Sequence, residues 1–244
     1  INIFTDLGFY LISKTEEAAL LENKRNGISD FVNSLKSPSY PVSDNIGAIV
    51  LNCNPLTNGH LYLIETAAKQ CDLLNLFVVS EDKSVFPADI RYELVKRGVK
   101  HLDNVLVHPT SDYLISSATF PTYFIKDKYE AGEVNTILDL TIFADYFAKI
   151  FNVSKRFVGT EPYDKVTAAY NMQMKTYLAS RGIKVIEVPR LEDVSQPISA
   201  SRVRKLMVEG KYEDIKDLVP QITYDYLTSK EGLEIAERLR SHNA

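Results

Sequence analysis

The segment IGAIVLNCNPLTNGH, residues 46–60, holds an apolar run that ends in a turn containing Pro, Gly and His. Its first part, 46–51, is short, apolar and bounded by turn residues, which is typical of a buried strand. From residue 59 to 70 the apolar residues recur at helical spacing, as Leu61 and Ile64 illustrate. The segment therefore predicts a strand that passes through a tight turn into a helix.

The same alternation of strand and helix continues along the chain. Further strands are predicted at 73–79, 104–109, 155–159 and 183–189, and further helices at 88–102, near 135–150, 166–182 and 199–210. The residues from about 212 onward also have a helical pattern. This alternation predicts an α/β fold, a Rossmann-like parallel sheet with helices on both faces. In such sheets ligands bind at the carboxyl ends of the strands, where the first turn lies.

Composition narrows the class of protein. The 244 residues carry a formal net charge of -4, and no basic stripe is present, so nucleic acid is not an expected partner. No apolar run approaches the length of a membrane span, and a membrane partner is not expected. The two cysteines, Cys53 and Cys71, occur in a chain without a secretory signal. We therefore expect a cytoplasmic protein with reduced thiols.

The sequence before residue 46 has a different character. It begins with INIFTDLGFYLIS, which we interpret as the last strand or two of a preceding domain. The stretch KSPSYPVSDN contains two prolines and three serines and is typical of a linker. We predict a domain remnant at 1–37, a linker at 38–45 and a catalytic domain at 46–244, with a helical tail from about 212.

The first turn suggests a phosphate site. A helix N-terminus offers free N–H groups and partial positive charge to a phosphate, and Gly59 permits close approach to the backbone. His60 lies in the first helical turn, where it could hold a phosphoryl oxygen as charge develops. The alternative is an ordinary capped helix, in which Thr57 or Asn58 is the cap and His60 is incidental.

A second motif, ISASRVR at residues 198–204, precedes another predicted helix. Ser199 and Ser201 can cap that helix or bind phosphate. Ser201 and Arg204 lie three residues apart and share a helical face, so Arg204 could clamp a phosphate beside Ser201. The alternative is an N-cap followed by a solvated arginine. Taken together, the two motifs predict two helix N-termini that converge on one nucleotide triphosphate.

Other candidate residues are weaker on their own. Gly159 and Glu161 follow the fourth strand of the sheet and could border an adenosine, although a simple turn is the alternative. Lys83, Arg91 and Arg190 could each meet an anionic substrate, although isolated cations are more often solvated.

Several site classes are not supported by the sequence. The spacing of His60, His101 and His108 matches no common zinc pattern, and the cysteines do not form a CxxC pair. The sequence also lacks a G-x-S-x-G elbow, a P-loop and a G-x-G-x-x-G fingerprint. No metal bound by protein side chains is therefore expected.

NPLTNGH resembles the T/HxGH signature of the nucleotidyltransferase α/β-phosphodiesterase superfamily, and ISASRVR resembles its ISxSxxR signature. The segment SEDKSVFPADIRYELV is similar to a segment of pantetheine-phosphate adenylyltransferases. Lys83 of this chain matches a substrate-binding lysine of that family. A resemblance to the citrate (pro-3S)-lyase ligase family covers nearly the whole chain, including VPR and VPQITYDYL. That family carries an amino-terminal GNAT-type domain, and residues 1–37 look like its end, so we expect most of that domain to be absent.

The resemblance implies a reaction. ATP and acetate form acetyl adenylate and pyrophosphate, and a thiol then takes the acetyl group and releases AMP. The thiol belongs to the dephospho-coenzyme A-derived prosthetic group of the citrate lyase acyl carrier subunit. Mg²⁺ would be bound through the ATP phosphates.

The resemblance also implies roles for individual residues. His60 and Arg204 would be catalytic, with His60 at the α-phosphate. The implied ATP-binding residues are Asn52, Cys53, Asn54, Thr57, Gly59, His60, Gly159, Glu161, Ser199, Ser201 and Arg204. The implied substrate-binding residues are Lys83, Arg91 and Arg190.

The chain departs from the adenylyltransferase pattern at one place. It has GTEP where pantetheine-phosphate adenylyltransferases have an arginine-bearing loop. This weakens the plain adenylyltransferase interpretation and leaves one phosphate ligand to be supplied by Arg190 or Lys83. Two alternatives to the ligase stay open, namely an adenylyltransferase of that type and a non-catalytic module that binds nucleotide or carrier.

Overall fold

A computed structural model describes residues 1–16, 18–120, 136–162, 164–193 and 196–242. Its centre is a five-stranded, all-parallel sheet that consists of β3 (Ile46–Leu51), β4 (Leu73–Val78), β5 (Val105–Pro109), β6 (Lys155–Gly159) and β7 (Lys184–Val188). The strand order is β5-β4-β3-β6-β7. Each predicted strand begins and ends within one residue of the observed strand, and the α/β fold is confirmed.

Helices cover both faces of this sheet. On one face, α3 (Asn58–Ala68) and α4 (Ala88–Gly98) pack against a cluster that includes Ile49, Leu76 and Phe157. The other face is covered by α7 (Lys165–Ser180) and by a continuous helical segment. That segment consists of α5 (Ile137–Ile142), a π-helical stretch (Phe143–Ala148) and α6 (Lys149–Phe151). The predicted helix near 135–150 is this segment, although residue 135 lies outside the described residues.

The strand order places the crevice of the sheet. The chain moves outward from β3 through β4 to β5, and then returns to the other side of β3 with β6 and β7. The order therefore reverses between β3 and β6. In open α/β sheets, ligands bind outside the carboxyl ends of the strands at such a reversal. The turns after β3 and β6 are those that contain His60 and Glu161.

The amino-terminal residues fold against this core. They form α1 (Asn2–Asp6), an antiparallel hairpin of β1 (Tyr10–Lys14) and β2 (Ala19–Glu22), and α2 (Gly27–Leu35). The interpretation of the first residues as strand is wrong for 2–6, which are helical. Ile28 and Val32 of α2 are buried in the same cluster as Phe77 and Phe147 of the central core. The division at 37/38 stays a prediction.

The carboxyl-terminal residues form a helical layer beside the crevice. It begins with two short antiparallel strands, β8 (Glu192–Asp193) and β9 (Gln196–Pro197). Four helices follow, namely α8 (Ala200–Glu209), α9 (Tyr212–Ile215), α10 (Gln221–Leu227) and α11 (Lys230–His242). These helices share a buried cluster with Phe86 from the loop after β4. None of the helices in the described ranges is both long and apolar enough to cross a membrane.

Candidate active site

A cavity of about 1120 Å³ opens at the carboxyl ends of β3, β6 and β7. Both sequence motifs line it. Every predicted site residue except Arg91 contributes to its wall, and these are Asn52, Cys53, Asn54, Thr57, Gly59, His60, Lys83, Gly159, Glu161, Arg190, Ser199, Ser201 and Arg204. The cavity has an outer end, formed by the starts of α3 and α8. Its inner end, between the sheet and α7, is formed by the buried residues Ile115, Phe120, Arg156, Tyr170 and Met174.

The start of α3 fixes the orientation and tautomer of His60. Thr57 is the N-cap, and its hydroxyl accepts a hydrogen bond from the His60 backbone N–H at 3.4 Å. In return, the Thr57 backbone N–H donates to Nδ1 of His60 at 3.0 Å, which completes a capping box. Because Nδ1 accepts this bond, the proton of a neutral ring lies on Nε2. His60 therefore keeps an Nε2–H donor for another group.

His60 is neutral near physiological pH. Burial, together with the positive charges of Arg190 and Arg204, lowers the pKa of His60 to about 4. A neutral imidazole with its proton on Nε2 can donate a hydrogen bond to a phosphoryl oxygen without being a cation. An incoming polyphosphate would counter the two arginine charges and favour protonation.

The two motifs are in direct contact. A Cβ added to Gly59 would lie 2.7 Å from the carbonyl oxygen of Ile198, so no larger residue fits without separating the two turns. The Arg204 guanidinium donates to the carbonyl oxygen of Asn54 and, at 3.2 Å, to Oγ of Ser201. The small size of Gly59 thus serves the approach of Ile198, which explains this glycine without a ligand.

The start of α8 is capped in the same manner as the start of α3. Oγ of Ser199 accepts the backbone N–H of Arg202 at 3.2 Å, while Ser201 lies exposed in the first turn. Ser199 is therefore occupied with capping, as the alternative interpretation proposed, and it still lines the cavity. The starts of both helices line this outer end, where the positive end of each helix dipole favours an anion.

The carboxyl-terminal layer supports the first turn from outside. The backbone N–H of Asn58 donates to the carbonyl of Leu218 at 2.9 Å, and its side-chain amide donates to the carbonyl of Asp217 at 2.9 Å. Residues about 160 positions apart in sequence therefore hold the N-terminus of α3 in place.

Arg91 does not reach the cavity. It is fully buried, and its guanidinium donates to the carbonyl oxygens of Phe86, Val79, Glu81 and Asn52, with a further bond to the Asn52 side chain. These contacts fix the loop after β4 against the end of β3. The structure therefore argues against direct substrate binding by Arg91 and gives it a positioning role.

The other two predicted cations, Arg190 and Lys83, both line the cavity but differ in their contacts. Arg190 forms an ion pair with Glu161, and its Nε donates to the Thr160 carbonyl at 2.7 Å. Glu161 also accepts the backbone N–H of Asp164 at 3.1 Å, the N-cap of α7. Lys83 is exposed at the cavity wall. Arg190 thus holds the loop after β6 in place, and its positive charge helps to lower the pKa of His60.

The three residues between β3 and Pro55 build the wall. Asn52 binds Ser84 through its side-chain amide at 3.0 Å, and Oδ1 of Asn54 accepts the Phe86 N–H at 3.0 Å. Cys53 is buried in a left-handed conformation with φ of 48°, and burial raises the pKa of its thiol to about 12. Cys53 is therefore a protonated packing residue.

Comparison with known proteins adds a family to this geometry. Residues 46–227 match the family model described as the citrate lyase ligase C-terminal domain. The chain belongs to the citrate lyase ligase family. The citrate (pro-3S)-lyase ligase of Escherichia coli is 42% identical over 231 residues, which cover 92% of this chain and 65% of that protein. The chain thus spans about two thirds of the length of this curated relative.

Two more distant likenesses accompany the citrate lyase ligase match. A phosphopantetheine adenylyltransferase of Streptococcus gordonii is 28% identical over 182 residues, covering 74% of this chain and 92% of that protein. A crystal structure of a bifunctional NMN adenylyltransferase/ADP ribose pyrophosphatase from Francisella tularensis aligns with a TM-score of 0.51 at 17% identity. This alignment covers 82% of this chain and 53% of that one. It shows a shared fold.

Sequence reasoning did not single out Arg156, the charged residue at the inner end of the cavity. Arg156 lies within β6 and is 2% exposed. A signal was available, because the inner strands of a parallel sheet are usually continuous apolar runs, and KRFVG begins with two cations. Tyr170 and Met174, which share a face of α7, were also missed because they look like ordinary core residues.

Proposed function

We propose that this chain carries the active site of an ATP-dependent ligase that activates acetate. An acetate oxygen attacks the α-phosphorus of ATP, a new P–O bond forms, and the bond to the bridging oxygen of pyrophosphate breaks. Acetyl adenylate and pyrophosphate are the products. Membership of the citrate lyase ligase family supports this reaction.

One observation carries the assignment of the site. The NPLTNGH turn and the ISASRVR turn touch through Gly59 and Ile198 and through Arg204 and Asn54, so two helix N-termini face one cavity. A triphosphate has enough negative charge to use both. We assign the β- and γ-phosphates to the start of α8 with Ser201 and Arg204, and the α-phosphate to His60. Gly159 and Glu161, at the end of β6, would border the adenosine.

The proposed chemistry relies on positioning and charge stabilisation. The Nε2–H of His60 would donate to an α-phosphoryl oxygen, which gains negative charge as acetate attacks. Arg204 would stabilise the charge that develops on departing pyrophosphate. The described residues contain no cluster of His, Cys, Asp or Glu suited to a metal ion. Mg²⁺ would therefore enter with ATP, held by its phosphates, and neutralise part of their charge.

We propose that a second step transfers the acetyl group to a thiol. The thiol sulfur attacks the carbonyl carbon of acetyl adenylate, a thioester forms, AMP leaves, and the thiol proton is released. The expected acceptor is the dephospho-coenzyme A-derived group on the citrate lyase acyl carrier subunit. The likeness to a phosphopantetheine adenylyltransferase supports a cavity suited to such an acceptor.

The test is exchange of radioactive pyrophosphate into ATP, measured with and without acetate. The ligase predicts exchange that depends on acetate. Exchange that depends instead on a phosphopantetheine substrate would favour an adenylyltransferase. ATP binding without exchange under either condition would favour a non-catalytic module.

A further inference from the structure

The inner end of the cavity contains a buried cation whose hydrogen-bonding capacity is not used. Arg156 is 2% exposed, and neither its Nε nor its Nη1 has a hydrogen-bond partner among the described residues. Its guanidinium carbon lies 4.2 Å from the ring centroid of Phe143. A buried donor without a partner costs free energy, and a charged donor costs more than a neutral one. Such a group requires an explanation.

The nearest carboxylate does not provide this explanation. Asp139 is 1% exposed, and its Oδ1 accepts the Ile115 backbone N–H at 2.7 Å and the Thr119 hydroxyl at 2.9 Å. Its Oδ2 accepts the Tyr170 hydroxyl at 2.8 Å. Asp139 is thus satisfied by three donors other than Arg156, and it offsets the arginine charge only at a distance.

The surroundings of Arg156 leave room for a small ligand. Arg156 lines the cavity and lies in the sheet between Ala48 of β3 and Val185 of β7. Ile115, Phe120 and Met174 form an apolar wall at the same end of the cavity. Phe120 is fixed by stacking on Tyr170, with ring centroids 5.0 Å apart. The inner end therefore combines one cation with apolar walls, which suits a carboxylate that has a short hydrocarbon group.

The position along the strand connects this end to the proposed nucleotide site. Arg156 and Gly159 lie on β6, three residues apart, or about 10 Å along the strand. The cavity that Arg156 lines is the one that His60 and Arg204 line. A small acid bound at Arg156 would therefore share one cavity with an α-phosphate held at the outer end.

We propose that Arg156 binds the carboxylate of the acid substrate and positions it for attack. Arg156 lines the cavity and has buried N–H donors that no described residue accepts, so the guanidinium would turn these donors toward the carboxylate as it binds. The apolar wall formed by Ile115, Phe120 and Met174 receives the hydrocarbon part and limits it to a short-chain acid. That this acid is the one activated by ATP rests on the proposed function.

Pyrophosphate exchange into ATP provides the kinetic test, with the intact chain and varied acetate or ATP. Arg156→Gln should raise the KM for acetate about 30-fold or more, because charge-assisted bonds to the carboxylate are lost. The KM for ATP should stay within about twofold of the wild type, as expected for a site that contacts only the acid. Arg156→Lys keeps the positive charge but loses the forked donor geometry of the guanidinium, and it should raise the KM for acetate about tenfold. Arg181→Gln is the matched control, because Arg181 lies on the surface beyond α7 and pairs with Asp145.

Equilibrium binding separates this inference from the proposed function. Line broadening in the ¹⁹F spectrum of fluoroacetate should appear with the wild type and with Arg181→Gln, and should be lost with Arg156→Gln. Binding that depends on Arg156, in a protein without acetate-dependent exchange, would refute the proposed function and leave the carboxylate site standing. Exchange and fluoroacetate binding that are unchanged in both Arg156 variants would overturn the carboxylate site alone.

Discussion

Arg91 and Arg156 are both almost completely buried, with exposures of 0% and 2%, yet their surroundings are opposite. Arg91, beneath the outer end of the cavity, donates to four backbone carbonyls and one side chain. At the inner end, Arg156 has two nitrogens without a partner in the described part of the chain. The first arginine is part of the scaffold, whereas the second is incomplete without a ligand.

This difference indicates that the two ends of the cavity have different roles. Around the outer end, the Thr57–His60 capping box and the contact of Gly59 with Ile198 are already made before nucleotide binds. Pre-organised groups of this kind stabilise a transition state at little cost of rearrangement. Within the described ranges, no such network surrounds the cation of the inner end. Changes at the outer end should therefore affect stability or kcat, and changes at Arg156 should affect acetate binding.

The largest expected effect is the loss of protein stability when Arg91, the scaffold arginine, is replaced. Arg91→Gln should lower the free energy of unfolding by about 3 kcal/mol or more, because several buried carbonyls lose their donor. Urea denaturation followed by circular dichroism measures this change. Arg156→Met should cost less than about 1 kcal/mol, since it removes a charge whose donors are partly unused. Similar losses at the two positions would remove the distinction between them.

The next effect concerns the histidine of the outer end. His60→Ala should lower kcat for acetate-dependent exchange about 100-fold, equivalent to roughly 2.7 kcal/mol, because a transition-state donor is lost. Its KM for acetate should change little, in contrast to Arg156→Gln. The control is His101→Ala, since His101 is half exposed and pairs with Glu65 on the outer surface of α3. Full turnover by His60→Ala would show that this histidine is only a cap.

A smaller effect is expected at the contact between the two turns. Gly59→Ala should lower the free energy of unfolding by about 2 kcal/mol, because the new methyl group forces the Ile198 carbonyl away. Gly159→Ala provides a matched comparison for stability, since a Cβ there meets nothing within 4 Å. Thermal unfolding of both variants tests this difference. An equal shift of both midpoints would show that the turns separate freely.

The smallest effect is on proton binding. Burial alone lowers the pKa of His108 to about 4, whereas Arg190 and Arg204 add to burial at His60, whose pKa is also about 4. Arg204→Gln should therefore raise the pKa of His60 and leave that of His108 unchanged, as measured by NMR titration of the imidazole resonances. A His60 pKa insensitive to this change would place Arg204 away from the imidazole.

The lowered pKa values of His60 and His108 determine in which direction pH changes the free energy of unfolding. Both folded-state pKa values lie below the ordinary value of 6.5, so the unfolded chain binds more protons between pH 6.5 and 4. The free energy of unfolding should fall as the pH falls through this window. Arg204→Gln, by raising the lower limit at His60, should make that fall shallower.

Much of the fold could be predicted from local pattern. The strands are apolar runs bounded by turn residues, and their ends were found to within one residue. The convergence of the two motifs followed from the rule that parallel strands present their carboxyl ends at one edge. The π-helical stretch at 143–148 and the helix at 2–6 were not foreseen. Apolar spacing carries no clear mark of an inserted residue in a helix, and a helix of five residues is too short for a periodic signal.

The site was predicted less completely, for tertiary reasons. Arg91 looks in the sequence like any isolated cation, and its burial depends on a loop that folds back over β3. Gly59 was linked to a ligand, whereas the group that approaches it is the Ile198 carbonyl, about 140 residues away. Arg156 lies in a strand that periodicity predicts to be buried. Only its charge in that setting marks it as unusual.

The bonds from Asn58 to the carbonyls of Asp217 and Leu218 have a consequence for biosynthesis. A growing chain completes all five strands of the sheet well before residues 217 and 218 leave the ribosome. Until then, the first turn of α3 lacks its outside support. Nascent chains of this protein should thus acquire a folded sheet before they acquire a finished nucleotide pocket.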